Sequence, residues 1–354
     1  MLRFNRTKLL AIHLLLTTMW VLVWVLVVLV WPGQGRHEGR DEEILTVTNR
    51  MMGPLSYDDP TLLGVVVKSF LHPPSTKTPT LMADQYNHQA LKYMNYKAEF
   101  SYMFCQKVIK ELFNDVRGGF FVEAGALDGE FLSNTLHLEL KADWTGLLVE
   151  ADGDMFNQLL KKRRRVWASH SCLAIHPHPH KDVLRKFLHY KDLNNEFAKQ
   201  SARAHGSLVG ISGMEGSTLN NAAPGHQLYE GVQCLPLATL LLALNVSRVD
   251  LVSLDVEGAE DAVLRHFPWG RITVDVWIVE HMLPKPTTSP ATQTNTTPPS
   301  TSNVTSHEHS MDAEFVSMFE SHGYDLYTFS KKLFIPNYVF ILRNSKYHRA
   351  MNKL

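Results

Sequence analysis

The chain has 354 residues, of which 45% are apolar, and its 35 Lys and Arg balance its 35 Asp and Glu. Zero formal charge excludes a nucleic-acid binder held by overall electrostatics. The length suits one large domain or two small ones.

The first element is Leu9–Trp31, "LLAIHLLLTTMWVLVWVLVVLVW", interrupted only by His13, Thr17 and Thr18. As a helix it is long enough for a hydrocarbon core of roughly 30 Å. It exceeds the about 7–15 apolar residues of a signal peptide and lacks a small-residue cleavage site, so it reads as an uncleaved transmembrane anchor. Arg3, Arg6 and Lys8 precede it, and Asp41, Glu42 and Glu43 follow it. The positive-inside rule makes residues 1–8 a cytosolic tail and the rest lumenal, a single-pass type II membrane protein. Such an anchor suits the endoplasmic reticulum, Golgi, endosome or plasma membrane. Residues 32–86 read as a lumenal stem, 87–347 as the folded domain and 348–354 as a tail. Asn245, Asn295 and Asn303 stand in glycosylation tripeptides. The last two lie in the Ser-, Thr- and Pro-rich insert 287–306, which looks mucin-like.

Inside the domain, "YMFCQKVIKELF" is apolar at helical spacing. "GGFFVEAG", "TGLLVEAD" and "VWASHSCLAI" read as three buried strands separated by the helices "SNTLHLELK" and "GDMFNQLLKKRR". The alternation resumes after residue 230 with "CLPLATLLLAL", "VDLVSLDVEG", "AEDAVLRHF" and "ITVDVWIVEH". A helix, "MDAEFVSMFESHG", and two closing strands, "GYDLYTF" and "NYVFILRN", complete it. The pattern predicts an α/β fold with a mostly parallel, helix-covered sheet. His205–Gly225 reads as a long loop. Cys172 and Cys234 each sit in a strand-like apolar context and make the natural pair, leaving Cys105; three buried free thiols are the alternative.

Ligands of open α/β sheets lie beyond the carboxyl ends of the strands. Acids and glycines collect there: Glu123, Gly125 and Gly129 after the first strand, Glu150 and Asp152 after the second, Asp255 and Glu257 after the fourth, Glu280 after the fifth. Gly125 and Gly129 allow a tight turn and close approach of a ligand. Glu150 is placed to accept ribose hydroxyls, and Glu123 to meet a cationic group. Asp152 and Glu257 also suit helix caps. The G-x-x-x-G spacing is neither a P-loop nor the dinucleotide fingerprint. "HPHPH", His176 to His180, reads as a solvated loop rather than a metal site, and "KKRRR", Lys161 to Arg165, as cations at a helix end.

"FFVEAGALDGEFLSNTL", "GLLVEAD" and "VDLVSLDVEGAEDAVL" resemble the FkbM-type methyltransferase domain. The resemblance implies a Rossmann-like fold and S-adenosylmethionine as cofactor, with no metal required. It implies that Glu123, Gly125, Gly129 and Glu150 line the cofactor, with Ser133 and Asn134 near its methionine end. Asp255 and Glu257 would face the methyl group or the substrate. With the anchor, "FFVEAGA", "SCLAI", "VQCLPL" and "LDVEG" look like the arthropod Star-like membrane proteins. That narrower likeness implies trafficking of membrane cargo, such as a growth-factor precursor, out of the endoplasmic reticulum. The alternative is an O-methyltransferase acting on a glycan or a small hydroxylated substrate.

Overall fold

The computed structural model describes residues 54–81, 103–187, 206–210, 227–281, 310–330 and 336–348. The chain divides into two compact units, residues 1–51 and 52–354, and the described residues all belong to the second. The chain enters at helix α1 (Pro60–Ser69), whose N-terminus is capped by Asp59 accepting from the Thr61 and Leu62 amides. A short strand, β1 (Leu71–His72), follows. Helix α2 (Met103–Phe113) leads to β2 (Phe120–Ala124), α3 (Leu136–Ala142), β3 (Thr145–Glu150), α4 (Gly153–Lys162) and β4 (Trp167–His170). Next come β5 (Cys172–Leu173), β6 (His180–Phe187), β7 (Ser207–Leu208) and β8 (Gln227–Leu235). Helix α5 (Leu237–Ala243), β9 (Arg248–Leu254), α6 (Glu260–Arg265), β10 (Thr273–Glu280), α7 (Ala313–Ser321), β11 (Tyr324–Phe329) and β12 (Asn337–Leu342) complete the unit.

Eight strands form the main sheet, in the order β1-β4-β3-β2-β9-β10-β12-β11. Its centre, β4 to β10, is parallel. Both margins are antiparallel: β1 against β4, and β12 against β10 and β11. The expected mostly parallel sheet is thus corrected to a mixed one. The closing strands follow one another without a helix between them, and such neighbours pair antiparallel. Adjacent residues such as Phe121 and Val122, or Leu148 and Val149, are all buried, so both faces of the sheet are covered. Phe121, Leu148, Leu251 and Ile278 share one core with Val108 and Leu112 of α2 and Phe156 and Leu159 of α4. On α7, Phe319 stacks on Phe340 of β12 and meets Trp277 of β10.

The predicted third strand, "VWASHSCLAI", breaks at Ser171. Its first half is β4; its second, β5, begins a separate four-stranded sheet ordered β5-β8-β6-β7. Cys172 and Cys234 face each other across β5 and β8 and are joined by a disulfide, while Cys105 is a buried free thiol. β6 escapes a hydrophobic-pattern reading because its inward residues include Lys186, whose ammonium reaches Asp152 and Glu230. The fold also starts earlier than residue 87. Leu62 and Val66 of α1 are fully buried, Thr239 of α5 donates to the Tyr57 carbonyl, and β1 extends the sheet, so residues 57–72 are domain rather than stem.

No helix among the described residues is long and apolar enough to cross a membrane. The expected anchor, Leu9–Trp31, and the insert 287–306 with Asn295 and Asn303 lie outside the described residues. The single-pass topology, the secretory-pathway location and the membrane-cargo partner find no support in the structure and are withdrawn.

Candidate active site

The turn after β2 is built by buried polar contacts. Gly125 and Ala126 donate to the Val149 carbonyl, and Asp255 donates to the Ala124 carbonyl, so β2, β3 and β9 end together. Gly125 has φ +83°, and a Cβ there would lie 1.8 Å from the Asp255 carbonyl oxygen. Gly129 has φ +77°, and a Cβ there would lie 3.1 Å from Leu159 Cγ. Both glycines therefore answer to neighbouring protein atoms first.

Glu123 is buried, and both of its oxygens are engaged. Oε1 accepts from the Asn134 amide at 2.6 Å; Oε2 accepts from Ser133 Oγ at 2.8 Å and Thr135 Oγ1 at 2.6 Å. Burial pushes its carboxyl up, while Arg164 and these hydrogen bonds oppose the rise. Glu123 thus clamps residues 133–135. That clamp sets Asn134 at the strand ends, where its Nδ2 donates to Ser253 Oγ of β9.

Glu150 closes the neighbouring turn. Its oxygens accept from the Leu127 and Asp152 amides, each at 2.7 Å. Burial, with the nearby Asp152 charge, pushes its carboxyl up to about 8 against those hydrogen bonds. A carboxylate oxygen has a second lone pair, so this pair of acceptors can still receive hydroxyls. Asp152 caps α4, accepting from the Asp154 and Met155 amides.

The "KKRRR" run is not simply a set of helix-end cations. Lys161, Arg163 and Arg165 are exposed, but Lys162 and Arg164 are buried. Lys162 reaches Asp128 and Glu130 of the glycine turn. Arg164 pairs with buried Glu139 at 2.5 Å and donates to the Gly129 carbonyl, Ser133 Oγ and Thr135 Oγ1. The sequence reading does not find the supporting roles of Lys162, Arg164, Asp128, Glu130, Glu139 and Thr135. The available signal was the acids of "LDGE" and "LEL" opposite a cation run whose members alternate in burial.

At the ends of β9 and β10, the carboxylates of Asp255, Glu257 and Glu280 converge, with oxygens within 4.8 Å of one another. Glu280 was noted at a strand end but not assigned a role. Glu260 braces the group by accepting from the Val256 and Gly258 amides. It is itself pushed up to about 8 by burial and the Asp255 charge. Burial, Asp255 and Glu260 hold Glu257 well above the ordinary carboxylate range. Burial and the charges of Asp255 and Glu257 do the same for Glu280, which also shares a hydrogen bond with Asp255. Two carboxyls in contact share a proton. Glu257 has φ +57° and is not a helix cap; the α6 N-cap is Ala259. Cys105 lies under this cluster as a thiol, pushed up by burial and by Asp255, Glu280 and Glu123. His281 stacks on Phe315 and pairs with Asp312, the α7 cap.

A parallel sheet centre with a glycine turn, a buried acid at the end of the next strand and a carboxylate cluster beyond the ends of β9 and β10 is a methyltransferase-like α/β arrangement. Residues 123–326 match the model of the methyltransferase FkbM domain. The match spans over half of the chain, which belongs to this family. The family implies an S-adenosylmethionine-dependent mechanism in general. No curated protein matches the chain. Among solved structures, a candidate RNA methyltransferase of Pyrococcus horikoshii, PH1948, is similar with 12% identity and a TM-score of 0.30, over 80% of this chain and 96% of that one. The pyocyanin biosynthetic protein PhzM is similar with 14% identity and a TM-score of 0.29, over 67% of this chain and 54% of that one. Neither likeness is close enough to carry an argument. The Star-like reading is corrected: the shared sequence marks belong to the methyltransferase domain, and nothing found points to a trafficking protein.

Proposed function

We propose that the chain is an S-adenosylmethionine-dependent O-methyltransferase acting on a glycan or a small hydroxylated substrate. The observation that carries this reading is the carboxylate cluster Asp255, Glu257 and Glu280 at the ends of two adjacent parallel strands. Buried acids with raised proton affinity are suited to general-base work near neutral pH. The donor set also fits the cofactor. Glu150 offers buried acceptor lone pairs for ribose hydroxyls, and the cluster offers negative charge to cationic groups. When bound, S-adenosylmethionine supplies an electrophilic methyl group.

The chain's own residues divide the remaining work. Glu257, with no helix to cap, takes the proton from the acceptor hydroxyl. Asp255 and Glu280, sharing a proton, hold the local charge that keeps Glu257 a good acceptor. Glu123 and Arg164 fix residues 133–135, so that Asn134 stays at the strand ends. Alignment of the reacting groups by such fixed loops provides much of the rate in group transfer.

The test is calorimetric titration of S-adenosylmethionine into the full chain, beside Glu150→Gln and Asp255→Asn. Micromolar binding that weakens at least tenfold in Glu150→Gln is expected. Methyl transfer to a hydroxylated acceptor panel should then fall by about 10²–10⁴-fold in Glu257→Gln. A folded chain that binds no cofactor would sink the proposal.

A further inference from the structure

Lys186 of β6 is a buried cation on the small sheet, outside both the glycine turn and the carboxylate cluster. Its side chain is 9% exposed. Its ammonium donates to Glu230 Oε2 of β8 at 2.5 Å and to Asp152 Oδ1 at 3.0 Å, with Asp154 Oδ2 at 3.8 Å. Asp152 is the cap of α4, and Asp154 lies in its first turn. A helix N-terminus carries the positive end of the peptide dipoles, so a cation there needs compensating acids. Here the acids prevail: burial lowers the proton affinity of Lys186, but Glu230 and Asp152 raise it on balance. Apolar side chains of similar volume would join two layers at no greater cost than a buried ion pair. The place of this charge therefore asks for a reason beyond packing.

The contacts lead from Lys186 to the turn after β2. Asp152 Oδ1, which holds the ammonium, also accepts from the Asp154 and Met155 amides at 2.7 and 3.2 Å. Fixing that carboxylate fixes the Asp152 backbone, whose amide donates to Glu150 Oε1 at 2.7 Å. Glu150 Oε2 accepts from the Leu127 amide at 2.7 Å. Lys186, Asp152, Glu150 and Leu127 are thus one chain of contacts from the small sheet to the glycine turn. The Ser171 amide, next to the Cys172–Cys234 disulfide, braces the same acid by donating to the Glu150 carbonyl at 3.1 Å. Charge follows the same route. The Asp152 carboxylate bears on Glu150, and the Lys186 ammonium offsets it.

We propose that Lys186 is a positioning residue of the cofactor site: acting through Asp152, it holds Glu150 where its free lone pairs meet the ribose hydroxyls. The small sheet thereby sets cofactor affinity without touching the cofactor. The ligand named here rests on the methyltransferase reading; the linkage from Lys186 to Glu150 is a property of the chain alone.

The test has two arms, both on the full chain. The first uses no cofactor and follows amide hydrogen exchange in the parent and in Lys186→Met. Protection of the Asp152 and Leu127 amides, the two donors to Glu150, should fall about tenfold, with the amides of β2 and β9 unchanged. The second arm is calorimetric titration of S-adenosylmethionine. Lys186→Met should weaken binding about tenfold, as expected for loss of a charged hydrogen bond. In a Glu150→Gln background the same change should have no further effect, because residues that act through one another are not additive. Lys186→Arg, which keeps the charge, should restore most of the affinity. If Lys186→Met does not fold, Lys186→Met/Glu230→Gln removes one acid together with the cation and is read in its place. Unchanged protection at Asp152 and Leu127, an equal loss throughout β2 and β9, or a loss of affinity that persists in full in Glu150→Gln overturns this proposal alone. A parent chain that binds no cofactor overturns the methyltransferase reading, and with it the ligand assigned to Glu150, whatever the exchange shows.

Discussion

The Asp255 carbonyl oxygen occupies the place where a side chain on residue 125 would begin: a Cβ on Gly125 would stand 1.8 Å from it. The tight turn is thus dictated by the packing of β2 against β9. Gly125→Ala meets both this clash and a left-handed backbone at φ +83°. It should lower stability by more than about 3 kcal/mol. Urea unfolding checks this; a near-native midpoint would show that the strands can separate there without loss. For the same reason a Gly125 variant is a poor probe of cofactor binding.

Arg164 and Glu139 are each 1% exposed in their side chains. Breaking such a pair from one side leaves a buried charge without its partner and costs about 3–5 kcal/mol. Arg164→Met should lose that much and free residues 133–135, since its donors to Gly129, Ser133 and Thr135 go with it. Hydrogen exchange is the sharper readout. Protection of the Asn134 amide should fall well before that of the β2 and β9 amides. Equal loss everywhere would mean that Arg164 supports the whole fold and not this loop.

Much of this arrangement is legible in the chain. The apolar runs ending in acid or glycine mark β2, β3, β9 and β10, because a strand buried on both faces needs continuous hydrophobicity and its ligand groups must follow its end. The acids 123, 150, 255 and 257 are found the same way. Three features are hidden for definable reasons. β6 has an alternating pattern whose inner face mixes Leu184 with Lys186, the latter satisfied by Asp152 and Glu230, so periodicity of hydrophobicity misses it. Lys162 and Arg164 become interior residues only through acids far away in sequence, Glu130 and Glu139. The function of Glu123 as a loop clamp depends on hydroxyls ten and twelve residues on, Ser133 and Thr135. A strand-end acid looks the same in sequence whether it meets a ligand or its own chain.

Glu150 and Glu260 make stability depend on pH. Their folded carboxyls sit at about 8, against an ordinary value of 4.5. The folded state therefore binds more protons than the unfolded chain between those values. The resulting stabilisation is fully present below pH 4.5, declines as pH rises, and is lost through about pH 8. The melting temperature should fall between pH 5 and pH 9, measured at constant ionic strength. Glu150→Gln cannot titrate, so its decline should be shallower than that of the parent chain. A melting temperature that climbs over this range would contradict the buried, proton-holding state of these acids.

Glu257 makes the corresponding prediction for rate. A general base must be ionised, and burial together with Asp255 and Glu260 holds this carboxyl well above the ordinary range. Methyl transfer should therefore rise with pH through an acid limb displaced upward from that of a free carboxylate. Replacing Asp255 by Asn removes a negative charge from within 4.8 Å of Glu257. Glu257 then ionises more readily, and the acid limb should move to lower pH. The same change makes Glu257 a weaker base, so the plateau rate should drop. Glu257→Gln should lower kcat by about 10²–10⁴-fold, the usual range for loss of a general base, with cofactor affinity retained. A kcat–pH series on the parent and both variants, with one acceptor, decides the matter. If the limb stays in place in Asp255→Asn, the titrating group is not Glu257, and Glu280, with its own raised proton affinity beside the same Asp255, becomes the base to test.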